Sequence, residues 1–127
     1  MTVELKQASK VIRGITHIKP TSLLLEAGHF NVLLGQTGSG KTSLIKLMAG
    51  LDPLYSGQIF MNGIEVSKLS PQKRNISLVH QFFVNYPQMT VFENIASPLR
   101  VAGMSLSEIE GRVEEAANIL QLRPMLN

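Results

Sequence analysis

An α/β fold is what this 127-residue sequence predicts, and three observations predict it. First, Gly35-Gln36-Thr37-Gly38-Ser39-Gly40-Lys41-Thr42 lies between an apolar run at residues 30–34 and a helix-like run at residues 43–50. Strand, glycine loop and helix in that order make one strand-to-helix unit. Second, residues 58–61 and 64–66 flank Asn62-Gly63, a dipeptide that favours a tight hairpin. Third, Thr90-Val91-Phe92-Glu93 and Ser105-Leu106-Ser107-Glu108 are capping boxes, each opening a helix.

Taken in order, residues 3–8 alternate polar and apolar and read as a half-exposed strand. Residues 23–26 read as a second strand, closed by a turn at Ala27-Gly28. Residues 30–34 read as a buried strand. The helix of residues 43–50 is expected to stop at Leu51-Asp52-Pro53, because proline disfavours helical geometry in the residue before it. Ser56-Gly57 opens the hairpin, and residues 70–74 read as a polar, exposed turn. Residues 75–79 are a strand candidate that delivers His80-Gln81, and an irregular stretch then runs to Met89. The helix from Val91 runs to about Val101, with Pro98 expected to kink or shorten it. In the last helix Leu106, Ile109, Val113, Ala116 and Leu120 fall on one face, and Arg123-Pro124 ends it. No repeat, low-complexity tract or linker divides the chain.

The formal net charge is +3. It is unevenly placed: residues 1–74 carry nine Lys/Arg and four acids, whereas residues 75–127 carry three and five. A basic half around a glycine loop suits a polyanionic ligand. The cations are scattered and do not interleave with aromatic residues, which argues against nucleic acid as a partner. No cysteine occurs, so disulfides, thiolate metal sites and cysteine nucleophiles are excluded. No run of eighteen apolar residues and no signal-peptide core is found, and these absences favour a cytoplasmic location.

The eight-residue loop fits the pattern G-x-x-x-x-G-K-[ST] in full. Gly35, Gly38 and Gly40 lack a Cβ, so the backbone can take positive φ and curl around a phosphate. Amides near Gly38 to Thr42 are expected to point inward at a helix N-terminus, whose partial positive charge favours anions. Lys41 is expected to reach the β- and γ-phosphates, and the Thr42 hydroxyl to ligate Mg²⁺.

With these elements in order, the chain resembles the ATP-binding subunits of ABC transporters along almost its whole length. The residues that carry the resemblance are Leu47-Met48-Ala49-Gly50-Leu51 with Ser56-Gly57-Gln58-Ile59, Gln72-Lys73-Arg74-Asn75-Ile76, and Val79-His80-Gln81. The most distinctive stretch is Tyr86-Pro87-Gln88-Met89-Thr90-Val91-Phe92-Glu93-Asn94-Ile95. It is similar to subunits that power import of sugars and polyols. Asn85-Tyr86-Pro87 and Ala96-Ser97-Pro98-Leu99-Arg100 look most like glycerol or glycerol-phosphate importers.

The resemblance implies a P-loop NTPase fold, incomplete here, with an antiparallel β-subdomain and the start of a helical subdomain. Residues 1–90 would form a β-rich ATP-binding core with both the phosphate loop and the Q-loop, and residues 91–127 the start of the helical subdomain. ATP and Mg²⁺ are the implied ligands. Gly35, Gln36, Thr37, Gly38, Ser39, Gly40, Lys41, Thr42 and Ser43 would hold the nucleotide, with Lys41 and Gln81 catalytic and Thr42 and Gln81 at the metal. The implied partners are a second ATP-binding subunit, as a homodimer or heterodimer, and membrane permease subunits. The permeases would dock on the loop from Phe82 to Met89, placing the protein peripherally on the inner (plasma) membrane.

The sequence departs from the family at two kinds of place. The family stacks adenine on an aromatic residue upstream of the loop. Residues 9–14 hold none, which leaves the base to Val11 or Ile12 and the choice of ATP over GTP open. His80 stands where the family often has an aromatic residue and reads as a packing or exposed side chain. His17 and His29 sit in turn-like contexts without a metal partner.

No LSGGQ-like signature, no apolar run ending in Asp-Glu and no later switch histidine occurs. Phosphoryl transfer needs such parts together. The expectation is therefore an N-terminal portion of a longer domain, which binds nucleotide but does not turn it over at a useful rate. Residues 30–34 would then lie at an unpaired edge. Two alternatives stay open: a catalytically inactive nucleotide-binding remnant, or another P-loop NTPase. A GTPase would need an Asn/Thr-Lys-x-Asp segment, and the sequence has none.

Overall fold

The computed structural model describes residues 1–82 and 84–126, in two compact units, residues 1–79 and residues 80–127. The first unit is a four-stranded antiparallel sheet carrying one helix. Its strands are β1 (Val3–Ile12), β2 (Ile15–Leu25), β3 (Ser56–Met61) and β4 (Ile64–Glu65), in the spatial order β2-β1-β3-β4. Helix α1 (Lys41–Ala49) follows the glycine loop. The second unit holds α2 (Val91–Val101) and α3 (Leu106–Ile119).

Both hairpins turn on two residues of positive φ. Asn62 and Gly63 have φ of 48° and 79°, as their sequence signals, and Arg13 and Gly14 have 50° and 80°. Positive φ at both central positions matches the right-handed twist of the flanking strands. The first of these turns makes β1 and β2 one long ribbon, with Val3 opposite Leu25 and Ile12 opposite Ile15. The expected short strands at residues 3–8 and 23–26 are thus the far ends of that ribbon, and His17 lies inside β2 rather than in a turn.

A bulge at Gln7 interrupts the ribbon, where the register shifts between Leu5 and Ala8. Gln7 takes φ of 50°, and its N–H donates to Ser22 Oγ at 3.0 Å. Leu5, Ala8, Ile59 and Met61 form the buried face of the sheet, onto which α1 lays Leu44 and Leu47. This apolar contact fixes the helix that follows the loop.

Two expected strands are not strands. Residues 30–34 and 75–79 are irregular, with Phe30 and Val79 each 95% exposed. A strand needs a neighbour to satisfy its backbone, and among the described residues the sheet contains only β1 to β4. The apolar composition of both segments is that of strands buried on two faces. Here residues 30–33 instead flank an open apolar cleft of about 430 Å³ with Leu23, Leu25, Ile45 and Met48.

Helix α1 ends earlier than Pro53 demands. Gly50 takes φ of 74°, and its N–H donates to the Leu47 carbonyl at 3.1 Å, a left-handed glycine cap. Residues 70–74 are the expected turn, with Ser70, Gln72 and Lys73 exposed, except that Pro71–Arg74 is a 3₁₀ turn whose last residue, Arg74, is buried.

In the second unit both capping boxes form. Glu93 N–H donates to Thr90 Oγ1 at 3.2 Å, and Thr90 N–H to the Glu93 carboxylate at 3.0 Å. At α3 the Glu108 carboxylate accepts both the N–H and the hydroxyl of Ser105. Helix α2 continues across Pro98 to Val101. The buried stripe of α3 is Ile109, Val113 and Ala117, packed with Ala96 of α2, whereas Leu106 and Leu120 are exposed. Spacing of four along the chain keeps these three on one side, while Leu106 lies in the first turn and Leu120 caps the helix. That helix ends at Ile119, before Pro124, with Gln121 at φ of 57°.

Candidate functional site

The loop that precedes α1 is built from backbone geometry. Gly38 and Gly40 have φ of 83° and 92°, values that a side chain disfavours. Gly35 does not need a positive φ; a Cβ there would come within 2.8 Å of Ser39 Oγ, so its role is space. Ser39 N–H donates to the Gln36 carbonyl at 3.2 Å and tightens the turn. Gly40 packs closely on β2, where an added Cβ would meet Ile18 Cδ1 at 2.7 Å.

Lys41 folds its side chain back over this loop. Its Nζ donates to the carbonyls of Gly35 and Gln36, both at 2.7 Å. The N-terminus of α1 is left open, since the N-cap is Gly40, no side chain bonds to it, and the first turn holds no acid. The amides of a helix's first turn lack partners within the helix. Helices α2 and α3 close theirs with Glu93 and Glu108. In α1 a positive helix end stands beside an ammonium, and Thr42 offers an exposed side chain there. An open cleft of about 520 Å³ adjoins the loop, walled by Thr16, His17 and Lys19 of β2 and by Ser39, Gly40 and Lys41.

The structure thus brings together Gly35 to Ser43. Gln81 belongs to the second unit, in an exposed bend. Of the loop of residues 82–89, Phe83 lies outside the described residues; Phe82, Val84, Tyr86 and Met89 are exposed. Of the two apolar candidates for the base, Ile12 is exposed at the end of β1. His29 bonds only locally, with Nδ1 3.1 Å from the Ala27 carbonyl. Among the described residues no cluster of His, Asp or Glu could hold a metal ion, and no helix is long and apolar enough to cross a membrane.

Two residues that sequence reasoning missed organise these loops. Arg74 donates from Nη1 to the carbonyls of Leu47 and Met48, at 3.0 and 2.9 Å, closing the far end of α1. Burial pushes its pKa below the ordinary arginine value. Asn94 accepts from Tyr86 N–H at 2.7 Å and donates to the carbonyls of Tyr86, Met89 and Thr90. A signal existed for Asn94, which stands one position past the glutamate of a capping box. None marked Arg74.

The glycine loop and the helix it opens are the parts of a P-loop that the structure shows, and the family match places the chain in the P-loop NTPase class. Residues 18–127 match the ABC transporter family, and the chain belongs to that family. It is 42% identical over 113 residues to the sn-glycerol-3-phosphate import ATP-binding protein UgpC of Rhodopseudomonas palustris, covering 89% of this chain and 31% of the relative. The UgpC of Pectobacterium atrosepticum is 39% identical over 125 residues, 98% of this chain and 35% of the relative. The spermidine/putrescine import ATP-binding protein PotA of Pseudomonas aeruginosa is 38% identical over 120 residues, covering 94% and 33%. The chain spans about a third of the length of the curated relatives it matches.

Proposed function

We propose that this chain is the nucleotide-binding N-terminal portion of an ATP-binding subunit that powers solute import. The observation that carries the reading is the open N-terminus of α1 beside Lys41, in a family whose similar members carry names of import ATP-binding proteins. Residues 35–43 bind the phosphates, Lys41 supplies charge, and Thr42 and Gln81 hold Mg²⁺. Bound Mg²⁺ would neutralise phosphate charge. The loop's own donor set fits both groups: main-chain N–H and ammonium for phosphate, and the Thr42 hydroxyl for a hard cation.

Residues 1–90 act as the nucleotide-binding core, and residues 91–127 begin the helical subdomain. The exposed residues 30–34 and the segment 75–79, with Val79 exposed, receive further strands of the same domain, which accounts for their composition. Hydrolysis then depends on groups outside these 127 residues, supplied by the rest of the domain and by a second ATP-binding subunit. Permease subunits dock on residues 82–89 and hold the assembly at the cytoplasmic face of the inner membrane. A glycerol-phosphate or related polyol is the solute class that the UgpC likeness favours, and the PotA likeness names a polyamine as the alternative.

A titration with Mg-ATP and Mg-GTP tests the reading. Saturable ATP binding that Lys41→Ala weakens at least about tenfold is expected, since a charge-assisted contact to phosphate is removed. GTP bound much more tightly than ATP would favour another P-loop NTPase and sink the transporter assignment.

A further inference from the structure

We propose that Arg74 is a positioning residue for the phosphate loop: its buried guanidinium, closed over the carbonyls of Leu47 and Met48, fixes the helix that carries Lys41 and Thr42. The proposal rests on the nucleotide-binding reading above and adds to it a residue from a separate turn.

Helix α1 has nine residues and is only about 13–14 Å long. A helix this short is marginal on its own, so its placement depends on what grips it. One face holds Leu44, Leu47 and Ala49 in the core. The N-terminal end faces the ligand site and has no cap. Beyond that apolar face, any grip on an end of the helix must therefore come from the C-terminal one.

That end is tied at three of its last four carbonyls. The Lys46 carbonyl accepts from the amides of Leu51 and Asp52, at 3.0 and 3.3 Å, and the Leu47 carbonyl accepts from Gly50. Arg74 then adds Nη1 to Leu47 and Met48, while Nε donates to the Leu69 carbonyl at 3.0 Å and Nη2 to Ser67 at 3.2 Å. One planar fork joins the helix end to the turn at residues 67–69. Arg74 is 6% exposed, and among the described residues no carboxylate pairs with it. Its counter-charge is the partial negative end of α1.

Gly50 makes this approach possible. A Cβ there would lie 2.6 Å from Arg74 Nε. A second tie lies nearby: Lys10 of β1 pairs with Asp52, and Tyr55 N–H donates to the Ser9 carbonyl at 3.0 Å. The end of α1 is thereby pinned to β1 on one side and through Arg74 to residues 67–74 on the other. A lysine has a single ammonium and no fork, so it can meet only part of this set. Methionine meets none and leaves buried carbonyls short of donors.

The test uses the 127-residue chain with Arg74→Lys and Arg74→Met, and Val113→Ala in the core of α2 and α3 as a control for plain destabilisation. Two readouts are taken: the amide resonances of Gly38, Gly40, Lys41 and Thr42 without ligand, and the Mg-ATP Kd corrected for the folded fraction. Arg74→Met is expected to move the loop amides and to weaken corrected affinity roughly three- to thirtyfold. Arg74→Lys should fall between, and Val113→Ala should leave corrected affinity unchanged. A merely local cap would move resonances of residues 46–51 and leave the loop and the Kd alone, and that result in either arginine variant would overturn the proposal. If Arg74→Met does not fold, Arg74→Lys decides by the same two readouts. If the unaltered chain does not bind Mg-ATP, the nucleotide reading fails, while the loop amides still decide the role of Arg74.

Discussion

The ammonium of Lys41 stands 2.7 Å from the carbonyl of Gly35, at the opposite end of the glycine loop. A second bond of equal length, to Gln36, makes the lysine a strap across the loop. The strap is solvent-accessible, so it contributes little to folding compared with its value for a phosphate, where charge meets charge. Lys41→Met is expected to change stability to urea by less than about 1 kcal/mol while abolishing most nucleotide affinity. A large loss of stability would mean that the lysine serves the fold first.

Gly50→Ala is expected to be among the most damaging single-methyl additions in the first unit. The residue takes φ of 74°, and the new Cβ would lie 2.6 Å from Arg74 Nε and 2.8 Å from Cζ. Left-handed backbone alone costs a non-glycine residue about 1–2 kcal/mol, and the clash forces a buried guanidinium aside. Urea unfolding measures the sum. A midpoint equal to that of the unaltered chain would contradict the packing described here.

Asn94→Ala removes the side-chain bonds that hold the turn before α2: one accepted by Oδ1 and those of the two Nδ2 hydrogens, shared among the carbonyls of Tyr86, Met89 and Thr90. The expected outcome is a turn that opens locally, with faster amide exchange at Tyr86 and Met89 and a stability loss of about 1–3 kcal/mol. If exchange at Tyr86 is unchanged, Asn94 does not hold that turn.

Glu108 carries the pH dependence of the α3 start. The hydroxyl of Ser105, and then its N–H, lower the Glu108 pKa below the usual carboxylate range. A carboxyl with a depressed folded-state pKa stabilises above its unfolded pKa, and the benefit disappears as pH falls through the folded value. Helix α3 should therefore fray at its N-terminus only in acid, below the ordinary glutamate pKa. Ser105→Ala should raise the Glu108 pKa, read by carboxyl NMR titration; an unchanged titration curve would contradict the contact.

How much of this was legible in the sequence depends on the range of the interaction. The Asn62-Gly63 turn and both capping boxes are local, each settled by residues a few positions apart, and each forms as read, whereas in the glycine loop positive φ is found at Gly38 and Gly40 but not at Gly35. The hairpin at Arg13-Gly14 is local too, but arginine at positive φ carries no strong sequence signal. Residues 30–34 and 75–79 were misjudged because a strand is defined by its neighbour, and apolar composition does not supply one. Arg74 lies 27 residues from Leu47, so nothing in its surroundings revealed that it closes α1. At the site, Gly35 to Thr42 form the loop and the first residues of α1. The loop pattern gave no hint that Gly35 serves space rather than φ.

The most direct test of nucleotide binding by this loop is an amide NMR titration of the 127-residue chain with Mg-ATP. Saturable shifts at Gly38, Gly40, Lys41, Thr42 and Ser43, absent in Lys41→Met, are expected. Saturable binding that leaves these five amides unmoved, or no binding at millimolar Mg-ATP, would contradict it.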